Sequence, residues 1–324
     1  MTPPSERHLT ATGRQGSERH LTATGRQGSE VIVGAIVRDR RRVIADLVAL
    51  TKPRVVLMVL VTTLVGYYVA LPGAADWARV LHLMVGTMLA AGGTLALNQY
   101  IERDVDARME RTRLRPLPDG RLMPLEALLF GAAITGLGLV YLGACVNVRA
   151  ALVTLVVVVL YLFAYTPLKL KTPLSTLVGA VPGALPPVTG WVAARDDLGV
   201  GAAVLFAILF LWQLPHTLAI ARLYREDYAR AGVLVLPVVD EAGASTERQI
   251  MTGVLGLLVV SLLPTLIGLA GGIYFAGALC LGLAFVVAGV RQARTRSIST
   301  ARWVLFASLL YLPVLLALLA FDKA

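Results

Sequence analysis

Charge, cysteine and histidine are all scarce in this chain of 324 residues: 15% are charged against 57% hydrophobic, with two cysteines and four histidines. Sustained over that length, so little charge excludes an ordinary soluble domain. Cys145 and Cys280 both fall inside apolar runs, so neither a disulfide framework nor a cysteine-built metal cluster is expected. A cleavable signal peptide is not expected either, because the first long apolar run begins only near residue 54 and continues to full spanning length.

What the chain does have is a succession of apolar runs, at about 54–71, 80–98, 125–145, 149–166, 174–194, 199–220, 250–269, 271–290 and 302–321, each near the roughly 20 residues that cross a bilayer. The expected fold class is therefore all-α, a polytopic membrane protein with about nine transmembrane helices. Basic residues alternate between the connecting loops. Arg103, Arg108, Arg111, Arg113, Arg115 and Arg121 crowd the second connection, Lys169 and Lys171 the fourth, Arg222, Arg225 and Arg230 the sixth, and 291–302 is basic again. The alternate loops hold little more than Arg79, Arg149 and Arg195. Since Lys and Arg are retained on the cytoplasmic side, the N-terminus is expected in the cytoplasm and the C-terminus outside. The net charge of +10 is accounted for by these loops facing anionic lipid, so no nucleic-acid partner is expected.

Ahead of the first span, residues 5–16 and 17–28 are an identical twelve-residue repeat, polar and poor in core-forming side chains. Two copies are too few for a solenoid. They are expected to form a disordered tail over residues 1–47, with His8 and His20 idle, followed by a membrane domain over 48–324. Val31 to Leu50, carrying Arg38, Arg40, Arg41 and Arg42, is expected to lie along the cytoplasmic surface of the membrane.

The stretch Asn98-Gln-Tyr-Ile-Glu102-Arg-Asp104-Val-Asp106 places three oxygen ligands at four-residue spacing at the end of an apolar run. Asn98, Glu102 and Asp106 fall within about 80° of one helical face, whereas Asp104 points the other way. Mg2+ takes oxygen ligands and shares them with substrate phosphates, and Arg111 and Arg115 just beyond are suited to bidentate capture of phosphate oxygens. A second polar cluster closes the sixth span: Arg225, Glu226 and Asp227, with the two carboxylates as further metal ligands and Arg225 as a diphosphate contact, set against the plainer reading of a surface salt-bridge cluster. Tyr165 and Lys169, four residues apart at the end of the fourth span, face the same side and reach for diphosphate. His216 precedes the sixth exit by about two turns, within the bundle, where an imidazole is either satisfied by packing or held as a ligand or contact for heme. Span five is rich in Gly and Pro (Pro182, Gly183, Pro186, Pro187, Gly190), a pattern tolerated at membrane depth where helices line a cavity or approach closely.

These residues resemble the UbiA-type intramembrane prenyltransferases over nearly all of 48–320. The family's Asn-x-x-x-Asp-x-x-x-Asp motif is matched by Asn98, Glu102 and Asp106, its Arg-Thr-x-x-Arg-Pro-Leu tail by Arg111, Thr112, Arg115, Pro116 and Leu117, and its Tyr-x-x-x-Lys pair by Tyr165 and Lys169. Leu50-Thr-Lys-Pro-Arg54, Gly183-Ala-Leu-Pro-Pro187 and Trp212-Gln-Leu-Pro-His216 are similar to the heme-modifying branch. Quinone-type members usually carry Asp-x-x-x-Asp in the second motif; here Leu223 takes the first position, leaving Asp227 with Glu226 as substitute. The resemblance implies helices bundled around a central cavity and Mg2+-dependent transfer of a farnesyl group from farnesyl diphosphate to a vinyl group of heme b, giving heme O. It also implies an inner-membrane location, with heme A synthase or terminal oxidase assembly factors as partners. The rivals are the same fold with an aromatic, quinone-precursor or chlorin acceptor, and a membrane transporter, which would place ionisable groups along a transmembrane path.

Overall fold

The computed structural model describes residues 40–324; the duplicated segment and most of the expected surface helix lie outside the described residues. Ala45 to Ala324 form one compact unit. The described chain opens with α1 (Arg40–Leu50) and continues with α2 (Pro53–Ala70), α3 (Trp77–Asp106), α4 (Pro124–Cys145) and α5, which runs from Val148 through a widened π-helical stretch, Leu160–Tyr165, to Leu168. Then come α6 (Ser175–Ala184), α7 (Pro186–Arg195), α8 (Val200–Leu223), the short α9 (Arg225–Arg230), α10 (Ala244–Val260), α11 (Gly272–Thr295) and α12 (Ile298–Phe321).

Among the described residues nine helical segments are long and apolar enough to cross a membrane, with α6 and α7 together making the fifth. This is a multi-pass membrane protein. Large apolar side chains such as Leu57, Leu129, Phe163, Val259 and Leu310 remain exposed on the helix surfaces, as a lipid-facing exterior requires. The helices pack α3 most extensively against α4, α2 against α7, and α8 against α6, α10 and α12, and α12 returns to α2.

Two local features shape the interior. Span five breaks at Leu185, where Pro186 starts α7 and Pro182 already interrupts α6, because proline supplies no amide and its ring crowds the preceding turn. The second half then lies directly on α2: a Cβ added at Gly190 would sit 1.9 Å from the Thr63 carbonyl oxygen, so glycine alone permits this approach. The other feature is the length of α3. At 30 residues it runs past the apolar stretch through Asp106, which carries Asn98, Glu102 and Asp106 on one continuous helix.

Candidate active site

Asn98, Glu102 and Asp106 lie on the one helix α3, and each meets a partner from elsewhere in the chain. Asn98 and Asp106 are each 1% exposed. Arg115 Nη1 donates to Asp106 Oδ2 at 2.6 Å, and Lys169 Nζ donates to Glu102 Oε1 at 2.7 Å. Asn98 Nδ2 donates to Thr166 Oγ1 at 3.1 Å, and Thr166 in turn donates to the Tyr161 carbonyl at 2.8 Å. Because the threonine proton is already committed, the asparagine must present its amide nitrogen there, which turns Oδ1 toward the open face of α3. Asp104 points away, exposed and 3.8 Å from Arg103 Nε.

The widened turn in α5 explains why Tyr161, Tyr165, Thr166 and Lys169 all reach this face. An extra residue in the helical turn rotates the segment beyond it, and the Tyr165 ring settles against Gly179, where a Cβ would lie 2.5 Å from it. Lys169 Nζ stands 4.2 Å from the Tyr165 ring centroid. Burial works to lower the Lys169 ammonium, but Tyr165, Glu102 and Tyr161 together hold it above its ordinary value. Lys169 is fixed from behind as well, since its carbonyl accepts from Leu234 N at 2.8 Å.

The second cluster is joined to the first through the α3–α4 loop. Met109 packs with Ala221, Ala231, Val233 and Val235, which brings the Asp227 carboxylate to the Glu110 and Arg111 amides at 3.3 and 3.4 Å. Burial opposes ionisation of Asp227, yet those two amides and the paired Arg230 hold its carboxyl below the usual range. Arg111 lies over the rings of Tyr224 and Tyr228 and donates to the Tyr228 hydroxyl at 3.3 Å. Burial pushes the Tyr228 phenol up. Arg225 and Glu226 are exposed on α9, and no hydrogen bond or ion pair joins them to the other site residues.

A cavity of about 590 Å3 is lined by Tyr161 and Tyr165, the two tyrosines beside Lys169, and by Thr176, Gly183, Gln213, Trp212 and His216. Val55, Met58, Leu309, Leu312 and Leu316 of α2 and α12 line it too. His216 stacks on Trp212, ring centroids 4.7 Å apart, and its Nδ1 lies 2.8 Å from Ser308 Oγ. The Ser308 proton goes to the Leu305 carbonyl at 2.6 Å, so Ser308 accepts from Nδ1–H and leaves the His216 Nε2 lone pair for the cavity.

One residue of the Leu50–Arg54 segment, given no role by the sequence, also reaches the α3 face. Lys52, between α1 and α2, brings its Nζ to 3.5 Å from Asn98 Oδ1. Burial, reinforced by Arg115 and Lys169 and opposed by Glu102 and Asp106, pushes this ammonium down to about 8. In the sequence it belongs to the Leu50–Arg54 segment that carries the resemblance, where a Lys-Pro pair before a span reads equally as an interfacial anchor.

Among the described residues no three His, Cys, Asp or Glu side chains cluster as a protein-only metal cage. The arrangement is instead one of carboxylates each paired with a cation. It suits Mg2+, which is ordinarily held by one or two carboxylates completed by substrate phosphates, and Asn98, Glu102 and Asp106 supply hard oxygen donors of that kind.

A model of the UbiA prenyltransferase family matches residues 59–318. Protoheme IX farnesyltransferase of Solibacter usitatus is 48% identical over 275 residues, 82% of this chain and 94% of the relative. The Myxococcus xanthus protein of the same name is 42% identical, covering 82% and 90%. Among solved structures, a UbiA homologue from Archaeoglobus fulgidus bound to DMAPP and Mg2+ superposes with a TM-score of 0.65 at 17% identity, covering 85% of this chain and 98% of that one. A structure of a digeranylgeranylglyceryl phosphate synthase gives a TM-score of 0.73, also at 17% identity, covering 86% and 98%.

Proposed function

The chain belongs to the UbiA prenyltransferase family, and from that premise we infer that it transfers a farnesyl group from farnesyl diphosphate to a vinyl group of heme b. The bond from farnesyl C1 to the diphosphate oxygen breaks and a carbon–carbon bond forms at the vinyl terminus. Water adds at the neighbouring carbon and loses a proton, so the products are heme O and diphosphate. The observation that carries this reading is an apolar cavity lined by Tyr161, Tyr165 and His216, with the Tyr165 ring centroid 4.2 Å from Lys169 Nζ of the Lys169–Glu102 pair. The names of the relatives 42–48% identical to this chain agree with it.

In this reading Arg115, Lys169, Tyr165 and Arg111 hold the diphosphate, and Asn98, Glu102 and Asp106 hold Mg2+, with Asp227 steadying the loop that carries Arg111. The metal's contribution, when bound, is to neutralise charge developing on the departing diphosphate. Glu102 and Asp106 would hold the metal, and Lys169 and Arg115, already paired with them, would stand beside it to hold diphosphate oxygens. Arg225 and Glu226 would join only by movement of α9. The apolar walls keep water from the allylic cation until carbon has attacked. His216 faces the porphyrin through Nε2. The loops bearing these residues face the cytoplasm, the membrane is the cell's inner membrane, the domain begins near residue 48, and heme O passes to heme A synthase or oxidase assembly factors.

The test is chemical. Hemes extracted from membranes of a heme-O-deficient host expressing this chain, separated by chromatography, should contain heme O. Purified protein that ignores heme and prenylates a phenol or quinone precursor would overturn the acceptor and leave the prenyl transfer standing.

A further inference from the structure

Three non-glycine residues among those described have positive φ: Lys52, Asp196 and Arg296. Asp196 and Arg296 close the C-terminal ends of α7 and α11, where the left-handed conformation is common. Lys52 likewise follows a helix end, two residues past Leu50 of α1 with its amide returning to the Ala49 carbonyl. It differs in leading at once into α2 and in preceding Pro53 with φ 50° and ψ 66°, although a following proline favours extended backbone. A left-handed residue directly before proline persists only where its surroundings hold it.

The surroundings do over-determine it. Gln99, the neighbour of Asn98 and 2% exposed, donates to the Leu50 carbonyl at 2.7 Å, and Leu50 is fully buried. Thr51 and Lys52 amides return to the Val48 and Ala49 carbonyls at 3.1 Å, closing the turn. Thr51 packs against Gly92 of the same helix α3. The turn is thereby fastened to α3 beside the face that carries Asn98, and the lysine reaches that asparagine.

The charge accounting then identifies what that side chain awaits. Glu102 is paired with Lys169 and Asp106 with Arg115, so both carboxylates of the face are taken. Lys52 has the neutral amide oxygen of Asn98 at 3.5 Å and, among the described residues, no carboxylate in ion-pair contact. A half-buried ammonium without a counter-ion is costly to keep unless an anion completes it. We propose that Lys52 is a third cation of the diphosphate cradle, binding diphosphate oxygens from the α1–α2 side opposite Arg115 and Lys169, a contact that neither sequence motif contains. The proposal rests on the reading of this face as a diphosphate site. It assigns Lys52 to that anion and not to a heme carboxylate, because the lysine meets Asn98 on the same helix α3 that carries Glu102 and Asp106 of the cation–carboxylate pairs.

The experiment uses the full chain in lipid nanodiscs and titrates inorganic diphosphate with Mg2+, and separately heme, into the parent, Lys52→Gln and Lys52→Arg proteins, with thermal unfolding of each ligand-free protein. Lys52→Gln should bind diphosphate about 10- to 100-fold more weakly, raise KM for farnesyl diphosphate in proportion, keep its heme affinity, and unfold no earlier than the parent, since an uncompensated charge has been removed. Lys52→Arg should recover part of the diphosphate affinity. If Lys52→Gln folds poorly, Lys52→Asn removes the charge with a side chain that tolerates the left-handed conformation. Diphosphate affinity within twofold of the parent overturns the proposal, as does a loss confined to heme. An earlier-unfolding variant with parental diphosphate affinity returns Lys52 to a structural neutraliser of Glu102 and Asp106. A parent that binds no diphosphate at all overturns the active-site reading itself, a different result from a parent that binds and a variant that binds equally well.

Discussion

Each site residue has a role set by what it touches. Asp106, 1% exposed, is paired with Arg115 at 2.6 Å. Asp106→Ala is expected to cut farnesyl transfer by roughly 100-fold or more, as loss of an electrostatic partner of the leaving group does, while the protein still inserts and folds. Turnover assayed beside size-exclusion behaviour checks this, and activity within about twofold of the parent removes Asp106 from the site. His216 supplies the acceptor counterpart: His216→Ala should weaken heme binding by absorbance titration and leave diphosphate binding nearly intact. Ser308→Ala should produce a milder version of the same loss, because it frees the tautomer without removing the ring. Asn98, Glu102 and Asp106 were legible in the sequence because four-residue spacing on a helix is a local property. Their partners were not: Glu102 and Lys169 are 67 positions apart, and Lys52 has no spacing relation to anything it meets. Such contacts are fixed by helix packing, which the sequence does not display.

At the scale of elements, the helices that carry the chemistry are held by polar ties near their ends. Arg222 of α8 pairs with Glu247 of α10 at 3.0 Å, and Gln292 of α11 donates to the same carboxylate at 2.8 Å and accepts from Thr300 of α12 at 2.6 Å. Four helices meet there, and Glu247 is 4% exposed. Glu247→Ala leaves a mostly buried guanidinium without its partner and is expected to cost about 3–5 kcal/mol, read as a fall in the unfolding midpoint in detergent. Gly190→Ala tests the other kind of joint. Its Cβ would meet the Thr63 carbonyl at 1.9 Å, so α7 must move off α2 at a cost of roughly 1–3 kcal/mol. An unchanged midpoint would show that this contact has slack. The Gly and Pro content of span five announced a break but not its place, since Pro182, Pro186 and Pro187 are all able to cause one. The π-helical stretch in α5 gave no signal at all: Leu-Tyr-Leu-Phe-Ala-Tyr suits an ordinary helix equally well, and the widening follows from Thr166 bonding back to Tyr161.

For the whole molecule, the nine apolar runs fixed the number of spans within a few residues at each end, because burial in lipid selects composition directly. The one large departure was informative: α3 continues to Asp106, eight residues past the expected end, since a helix does not stop where it leaves the hydrocarbon if its next turns are packed and paired. Sidedness is a separate question, carried only by the asymmetry of Lys and Arg among the loops. It has a direct test. Cys145 and Cys280 are free and exposed on helix surfaces, so both are first replaced by serine. Single cysteines are then placed at Thr112 in the α3–α4 loop, at Ala229 on α9 and at Asp196 after α7. In intact cells a membrane-impermeant thiol reagent should label position 196 and spare 229, with 229 reacting once the membrane is opened. Thr112 is buried and donates to the Asp106 carbonyl, so its cysteine should also react slowly in opened membranes, which makes Ala229, exposed on its helix, the informative site. Labelling of 229 in sealed cells would invert the topology and move the proposed diphosphate site to the outer face.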